Sequence, residues 1–146
     1  MQTKTRCLVL LACVSVLLLA CSRPAPEQRL RQAIGEMQAA VEEGDQRGVL
    51  RHVAADFVGD GGMDREQLQR MLRAQMLVNT KIGVHPGPLQ IELQQGSATV
   101  RCTVALTGGS GRILPERGRV LAITSGWREV DGQWQLYHAR WEDSRE

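Results

Sequence analysis

The side chains able to perform acid–base or metal chemistry include three histidines, His52, His85 and His138. They share no repeated spacing, so the sequence predicts no metal site. His138 is the best single candidate for a polar pocket residue, because it follows Leu136 by two positions and alternate residues of a strand share a face. The alternative is a histidine at the edge of the core that hydrogen-bonds the backbone.

Cysteine chemistry is restricted by position. Cys7 and Cys13 lie in an apolar segment near the start of the chain. Cys102 alternates with Val100 and Val104, so it is predicted to be a small buried residue rather than a nucleophile. If cleavage removes Cys7 and Cys13 and Cys21 is lipidated, Cys102 has no partner for an intramolecular disulfide.

The start of the chain is typical of an exported protein. Lys4 and Arg6 precede 14 uncharged residues, Cys7 to Ala20, a stretch too short to span a bilayer but suited to a signal peptide. Leu18-Leu19-Ala20-Cys21 resembles the lipobox of bacterial lipoproteins. That resemblance implies cleavage before Cys21 and acylation of Cys21. The alternative is an ordinary secretory signal cut at a small residue.

Three segments are therefore expected: a signal peptide over 1–20, the lipidated Cys21 with a tether over 21–26, and one domain over 27–146. Such a protein would be lipid-anchored at the periplasmic face of a bacterial cell-envelope membrane. Under the sorting rule known from some bacterial lipoproteins, Ser22 after Cys21, rather than Asp, favours the outer membrane over the inner. The membrane is thus the partner that the lipobox resemblance implies.

Charge argues against nucleic acid as a partner. The leader contains Lys4 and Arg6 but no acidic residue, so its removal reduces the basic residues from 18 to 16, equal to the 16 acidic residues. The remaining arginines are dispersed along the chain, and no basic patch is predicted. No cofactor-binding motif is found either, because the two Gly-rich stretches, at 59–62 and 108–111, lack the phosphate-binding pattern.

Three helices are predicted in the first half of the domain. An apolar stripe at spacings of three and four runs from Glu27 to Glu43. A short helix follows from Asp45 to about Ala54, with His52 on its exposed side. Asp64 and Gln67 form a capping-box pattern for a third helix, which should end near Asn79.

After the third helix, the period of the apolar residues changes from 3.6 to 2 residues, which predicts strands. These cover about 89–94, 98–106, 119–130 and 133–141, with a bulge or bend near Ser125-Gly126. Asp131-Gly132 is typical of a type I′ hairpin turn. Helices followed by an antiparallel meander give an α+β domain with segregated layers.

These elements and their motifs resemble the nuclear transport factor 2-like superfamily from Glu27 to Glu142. The markers are Gly44-Asp45, Ala55-Asp56-Phe57 with Gly59, and Asp131-Gly132-Gln133-Trp134. The resemblance implies a cone-shaped α+β fold in which helices pack on a curved sheet. The superfamily includes ketosteroid isomerases, polyketide-cyclase-like enzymes, scytalone dehydratase and many non-enzymatic modules.

The resemblance also implies where chemistry would occur. Isomerases of this superfamily place an Asp base in the cone, with hydrogen-bond donors for the developing enolate oxygen. Asp56 or Asp60 could be that base. The candidate pocket residues come from the aromatic hairpin: Trp127, Trp134, Tyr137 and His138. The sequence departs from the enzyme pattern, since it has one Tyr, late in the chain, and no acidic residue on the inward face of the second strand.

We therefore expect a non-catalytic module that binds a small apolar ligand in the cone or a protein on the outer sheet face; a homodimer is left open. The alternative is a small isomerase, cyclase or dehydratase that uses Asp56 or Asp60 with His138. An enzyme needs an ionisable group with a perturbed pKa inside a cleft that a ligand can enter.

Overall fold

The computed structural model describes residues 23–110 and 117–144. The predicted signal peptide and the lipidation site Cys21 lie outside these residues, so both stay predictions. Within the described ranges, no helix has the length and apolar character needed to cross a membrane.

Three helices pack on a curved, open sheet of six strands, which confirms the predicted α+β class. In chain order the elements are α1 (Pro26–Glu42), α2 (Gln46–Arg51), β1 (Val53–Val58), a 3-10 turn (Asp60–Gly62), α3 (Arg65–Val78), β2 (Lys81–Pro86), β3 (Gln90–Gln94), β4 (Ser97–Gly109), β5 (Arg117–Val130) and β6 (Gln133–Asp143).

The sheet is mixed rather than wholly antiparallel, which corrects the predicted meander. Its strand order is β1-β6-β5-β4-β2, and β3 also pairs with β4. β1 runs parallel to β6, and the other pairs are antiparallel. The last strand is therefore enclosed between β1 and β5 and is not at the edge of the sheet.

β1 was not predicted, because Val49, Leu50 and Val53 have the spacing of a helical stripe. In the structure α2 ends at Arg51, and the Leu136 N–H donates to the His52 carbonyl at 2.7 Å. From that point the backbone pairs with β6. A helix as short as α2, with six residues, has little stability of its own, so this pairing ends it.

β2 was not predicted either, because no strand was expected between the end of the third helix, near Asn79, and residue 89. Gly83 and Pro86 weaken the strand pattern there. The strand nevertheless pairs with β4 from Lys81 opposite Gly109 to Pro86 opposite Val104. Within the described residues its other edge has no strand partner, and proline is tolerated at such an edge.

The third helix begins as predicted. The Gln67 N–H donates to Asp64 Oδ1 at 2.7 Å, and the Asp64 N–H donates to Gln67 Oε1 at 2.8 Å. This reciprocal capping box satisfies two backbone donors at the start of α3. The helix ends at Val78, and its first turn lies beside β1, where the Arg65 side chain donates to the Val53 carbonyl.

A bulge interrupts the β5–β6 hairpin where a bend was predicted. Gly126 lies opposite His138, whereas Trp127 lies opposite Leu136, so Tyr137 is the extra residue. The extra residue reverses the alternation of β6, so Trp134 and Leu136 are buried before it and Ala139 after it. Asp131 and Gly132 both have positive φ, as the predicted type I′ turn requires.

Gly126 provides the space for Tyr137. A Cβ at position 126 would come within 2.8 Å of the Tyr137 ring, closer than real Cβ contacts. The ring therefore covers the glycine backbone on the outer face of the sheet.

We predict that Gly126→Ala lowers the free energy of unfolding by about 1–3 kcal/mol, because the new methyl group displaces the ring. Urea-induced unfolding would measure this. In a Tyr137→Ala background the same change should cost much less, since the two positions are in contact. An equal cost in both backgrounds would contradict the assigned contact.

Candidate functional site

The cone contains an apolar cavity of about 550 Å³. Helix α3 forms one wall with Met71 and Leu72, and the inner face of the sheet forms the other. The sheet side is contributed by β2, β4, β5 and β6 through Ile82, Leu106, Leu121, Ile123 and Trp141. The cavity is thus lined by the inward-facing residues of the strands and by the apolar stripe of α3.

Polar groups of this cavity lie toward one end. Asn79, Thr107 and Arg119 line it where α3 ends and the β4 and β5 strands meet their connecting loop. Arg119 donates to Asp143 through two hydrogen bonds of 2.5 and 2.8 Å, and this pairing raises the pKa of Arg119. Both side chains are more than half exposed, so the pair marks the open mouth of the cavity.

The described residues that line the apolar cavity include no carboxylate, histidine or cysteine. Without such a group these residues offer no general base, and none of them could activate the Thr107 hydroxyl as a nucleophile. What they offer is apolar surface and two flexible methionines, Met71 and Met76, which adapt to ligands of different shape.

Asp56, the first candidate base, lies outside the cavity on the outer face of β1. Both of its carboxylate oxygens accept hydrogen bonds from Arg128, whose guanidinium carbon is 5.6 Å from the centroid of the Tyr137 ring. The hydrogen bond from Arg128 lowers the pKa of Asp56. A general base that works near neutral pH needs the opposite shift.

Asp60, the second candidate base, begins the 3-10 turn between β1 and α3 and is exposed. It is not among the described residues that line the apolar cavity. Neither candidate carboxylate is therefore brought to the cone.

Trp127 and Trp134 are core residues, each 3% exposed. The Trp127 indole N–H donates to Ser125 Oγ at 3.0 Å, and the Trp134 indole N–H donates to the Pro26 carbonyl at 3.1 Å. Because both donors are already engaged, neither indole is a free hydrogen-bond donor for a ligand in the cone.

The prediction that His138 shares the inner face with Leu136 is wrong. The bulge at Tyr137 shifts the alternation, so Ala139 returns to the core and His138 lies on the opposite face. Tyr137 is also outside the core and is 38% exposed. Trp141, near the end of β6, lines the apolar cavity instead. Strict alternation from Trp134 and Leu136 would place Trp141 on the opposite face, so the sequence pattern does not predict this role.

A second, polar cleft of about 350 Å³ lies between α1, the end of α2 and the β5–β6 turn. In it His52 is half-buried, with its Nε2 atom 3.3 Å from Glu36 Oε2, which corrects the exposed position predicted for this histidine. Burial lowers the pKa of His52 more strongly than Glu36 raises it.

The same cleft contains Arg29, which is 15% exposed and lies 2.7 Å from Glu129 Oε1. Arg29 also donates to the Gly132 carbonyl at 2.9 Å. Its hydrogen bonds to the carboxylate lower the pKa of Glu129.

The described part of the chain shows neither a group of metal ligands nor an activated thiol. No three residues among its His, Cys, Asp and Glu lie close enough to hold a metal ion. Cys102 has a free thiol on the inner side of β4, and burial raises its pKa, which disfavours the reactive thiolate.

We predict that Glu129→Gln destabilises the protein at pH 7 and that the difference from wild type disappears in acid. The folded protein holds the pKa of Glu129 below its unfolded value of about 4.3, so the stabilisation is complete above that pH and is lost as the pH falls through the folded pKa. Urea unfolding at a series of pH values would show this. Glu66→Gln, which removes an exposed pair with Arg70, is the matched control and should have little effect. A difference that persists in strong acid would contradict the prediction.

No protein-family model matches this chain, and no curated protein does. Solved structures do. A nuclear transport factor 2-like protein of unknown function from Pseudomonas putida is 20% identical, with a TM-score of 0.68 over 80% of this chain and 84% of that one. A candidate dehydratase of the same family from Streptomyces avermitilis is 18% identical, with a TM-score of 0.69 over 82% and 96%. A cystatin-like protein of unknown function from Nostoc punctiforme is 14% identical, with a TM-score of 0.67 over 82% and 92%. The described part of this chain therefore has the cystatin-like α+β fold of the nuclear transport factor 2-like proteins.

Proposed function

We propose that this protein is a lipid-anchored component of the bacterial cell envelope that binds a small apolar ligand in its cone without transforming it. The observation that carries the proposal is the apolar cavity, because its described lining consists mainly of Leu, Ile, Met and Trp side chains and lacks an acid–base group. The anchor rests on the lipobox-like sequence that ends at Cys21.

The size of the cavity suits this role. Sites for small molecules and cofactors usually measure about 300–1,000 Å³ and are lined by apolar side chains with a few polar groups. A cavity of about 550 Å³ with Asn79, Thr107 and Arg119 near the mouth has that composition. The ligand class is a compact molecule with a hydrocarbon body and one polar end, which would lie at the mouth.

The alternative, an isomerase, cyclase or dehydratase, is less well supported. It needs Asp56 or Asp60 beside the ligand together with His138, and none of the three lines the apolar cavity. Asp56 is held by Arg128 on the outer face of the sheet. The candidate dehydratase from Streptomyces avermitilis shares the fold, but a shared fold does not carry an activity with it.

A protein partner or a second copy of this chain could still bind the outer sheet face. Val120 is 44% exposed and Tyr137 is 38% exposed on that side. Isolated exposed hydrophobic residues are common on protein surfaces, so this surface carries less weight than the cavity.

We predict that Ile123→Trp, which fills the apolar cavity, weakens binding of the neutral apolar dye N-phenyl-naphthylamine by about tenfold or more, a loss of about 1.4 kcal/mol. Dye fluorescence would measure the affinity. Ala122→Trp places the same side chain on the exposed face of β5 and is the matched control. Equal affinity in both variants would contradict a binding site in the cone, provided that circular dichroism shows both variants folded.

We further predict that Cys21→Ser moves the protein from the membrane fraction to the soluble fraction, because the acyl chains that anchor it can no longer be attached. Cys102→Ser removes the other cysteine outside the leader and should leave the protein in the membrane. Retention of Cys21→Ser in the membrane fraction would refute the lipid anchor.

A further inference from the structure

Residues 23–26 join the anchor position to helix α1, whose first residue is Pro26, and they are bound to the folded body. The Trp134 indole N–H donates to the Pro26 carbonyl at 3.1 Å, and Arg29 Nε donates to the Pro24 carbonyl at 3.1 Å. Arg23 Nη2 donates to the Gly132 carbonyl at 3.0 Å. We call residues 23–26 the N-terminal strap.

The groups that hold the strap are themselves fixed. Trp134 is 3% exposed, and Arg29 is 15% exposed and paired with Glu129. Glu129 is also held through its backbone, because its N–H donates to the Gly96 carbonyl at 2.9 Å. The strap therefore lies against the end of the domain formed by the β3–β4 and β5–β6 turns, which we call the turn end.

The mouth of the apolar cavity is at the other end of the sheet. β5 runs from Arg117, beside the mouth residues Gly118 and Arg119, to Val130 at the turn end. Fourteen strand residues at a rise of about 3.3 Å separate the two ends by roughly 40 Å.

Cys21 precedes Arg23 by two residues. Consecutive Cα atoms are about 3.8 Å apart, so an anchor at Cys21 reaches no farther than about 8 Å from the Arg23 Cα atom. We propose, on the basis of the lipid anchor put forward above, that the protein is held with its turn end against the bilayer and its cavity mouth directed away from it.

The surface of the turn end suits contact with lipid headgroups. Gln94, Gln95, Asp131 and Gln133 are all exposed there. Leu93 and Val130 are 41% and 40% exposed at the same end, so the surface is mixed. Its polar side chains favour a position among the headgroups rather than full insertion into hydrocarbon. The anchor and the strap would then set the distance between the domain and the bilayer.

The competing arrangement places the mouth on the membrane. Leu77 and Val78, at the end of α3 beside the mouth, are 78% and 62% exposed and could insert into a bilayer. The strap opposes that arrangement, because the mouth lies about five times farther from Arg23 than the anchor can reach. In the arrangement we propose, the ligand enters the cone from the aqueous phase and not from the bilayer.

The test uses the full-length lipidated protein in vesicles of phosphatidylethanolamine and phosphatidylglycerol that contain a nitroxide-headgroup lipid. In a Cys102→Ala background, a fluorophore is attached either at Gln95→Cys, in the β3–β4 turn, or at Leu77→Cys, beside the mouth. Vesicle flotation shows whether the protein is anchored, and quenching by the nitroxide shows which label is near the bilayer.

We expect several-fold stronger quenching at position 95 than at position 77. Equal quenching, absence of quenching at both positions, or stronger quenching at position 77 in protein that floats with the vesicles would overturn the orientation while leaving the anchor intact. Failure to float would instead refute the anchor, and the orientation with it.

A linker variant tests the strap as the cause. A flexible Gly-Ser segment of about 15 residues after Ser22 lengthens the connection by roughly 20 Å and should abolish the difference between the two labels. If the difference persists, the strap does not set the orientation. Thermal unfolding of the labelled proteins should match that of the parent, since positions 95 and 77 are both exposed.

Discussion

The extra residue at Tyr137 in β6 decides what each face of the sheet contains. Before it, Trp134 and Leu136 point into the core. After it, the alternation is reversed, so Ala139 is buried and Trp141 lines the apolar cavity. Had the strand continued without the bulge, His138 would enter the cone and Trp141 would leave it, because a shift of one residue moves every following side chain to the other face. The apolar character of the cavity depends on this single bulge and on the glycine opposite it.

Local signals explain which parts of the fold could be predicted. The capping box at Asp64, the hairpin turn at Asp131-Gly132 and the stripe of α1 each depend on residues within a few positions of one another. β1 and β2 could not be predicted in this way. β1 is a strand because β6, about 80 residues later, pairs with it. β2 is a strand despite its glycine and proline because β4 offers a partner. Pairing partners distant in sequence leave little local trace.

The site illustrates the same limit. The bend near Ser125-Gly126 could be predicted, because the alternation of apolar and polar residues is interrupted there. Its effect on β6 could not be predicted, because the extra residue, Tyr137, lies in the opposite strand. The candidate carboxylates Asp56 and Asp60 were chosen by resemblance to enzymes of this fold. The position of Asp56 is determined by Arg128, a residue 72 positions later. The described lining of the apolar cavity contains no carboxylate, histidine or cysteine, and the register of β6 keeps His138 out of it.

The enclosure of β6 has a consequence for the order of assembly during synthesis. Residues 53–58 find their strand partner only in residues 133–143 among the described part of the chain, and the α1 helix likewise packs on the hairpin that these residues complete. β1 therefore has no strand to join until β6 has left the ribosome. Closing so long a loop is slow. A nascent chain of this topology cannot complete its sheet until residues 133–143 have been made.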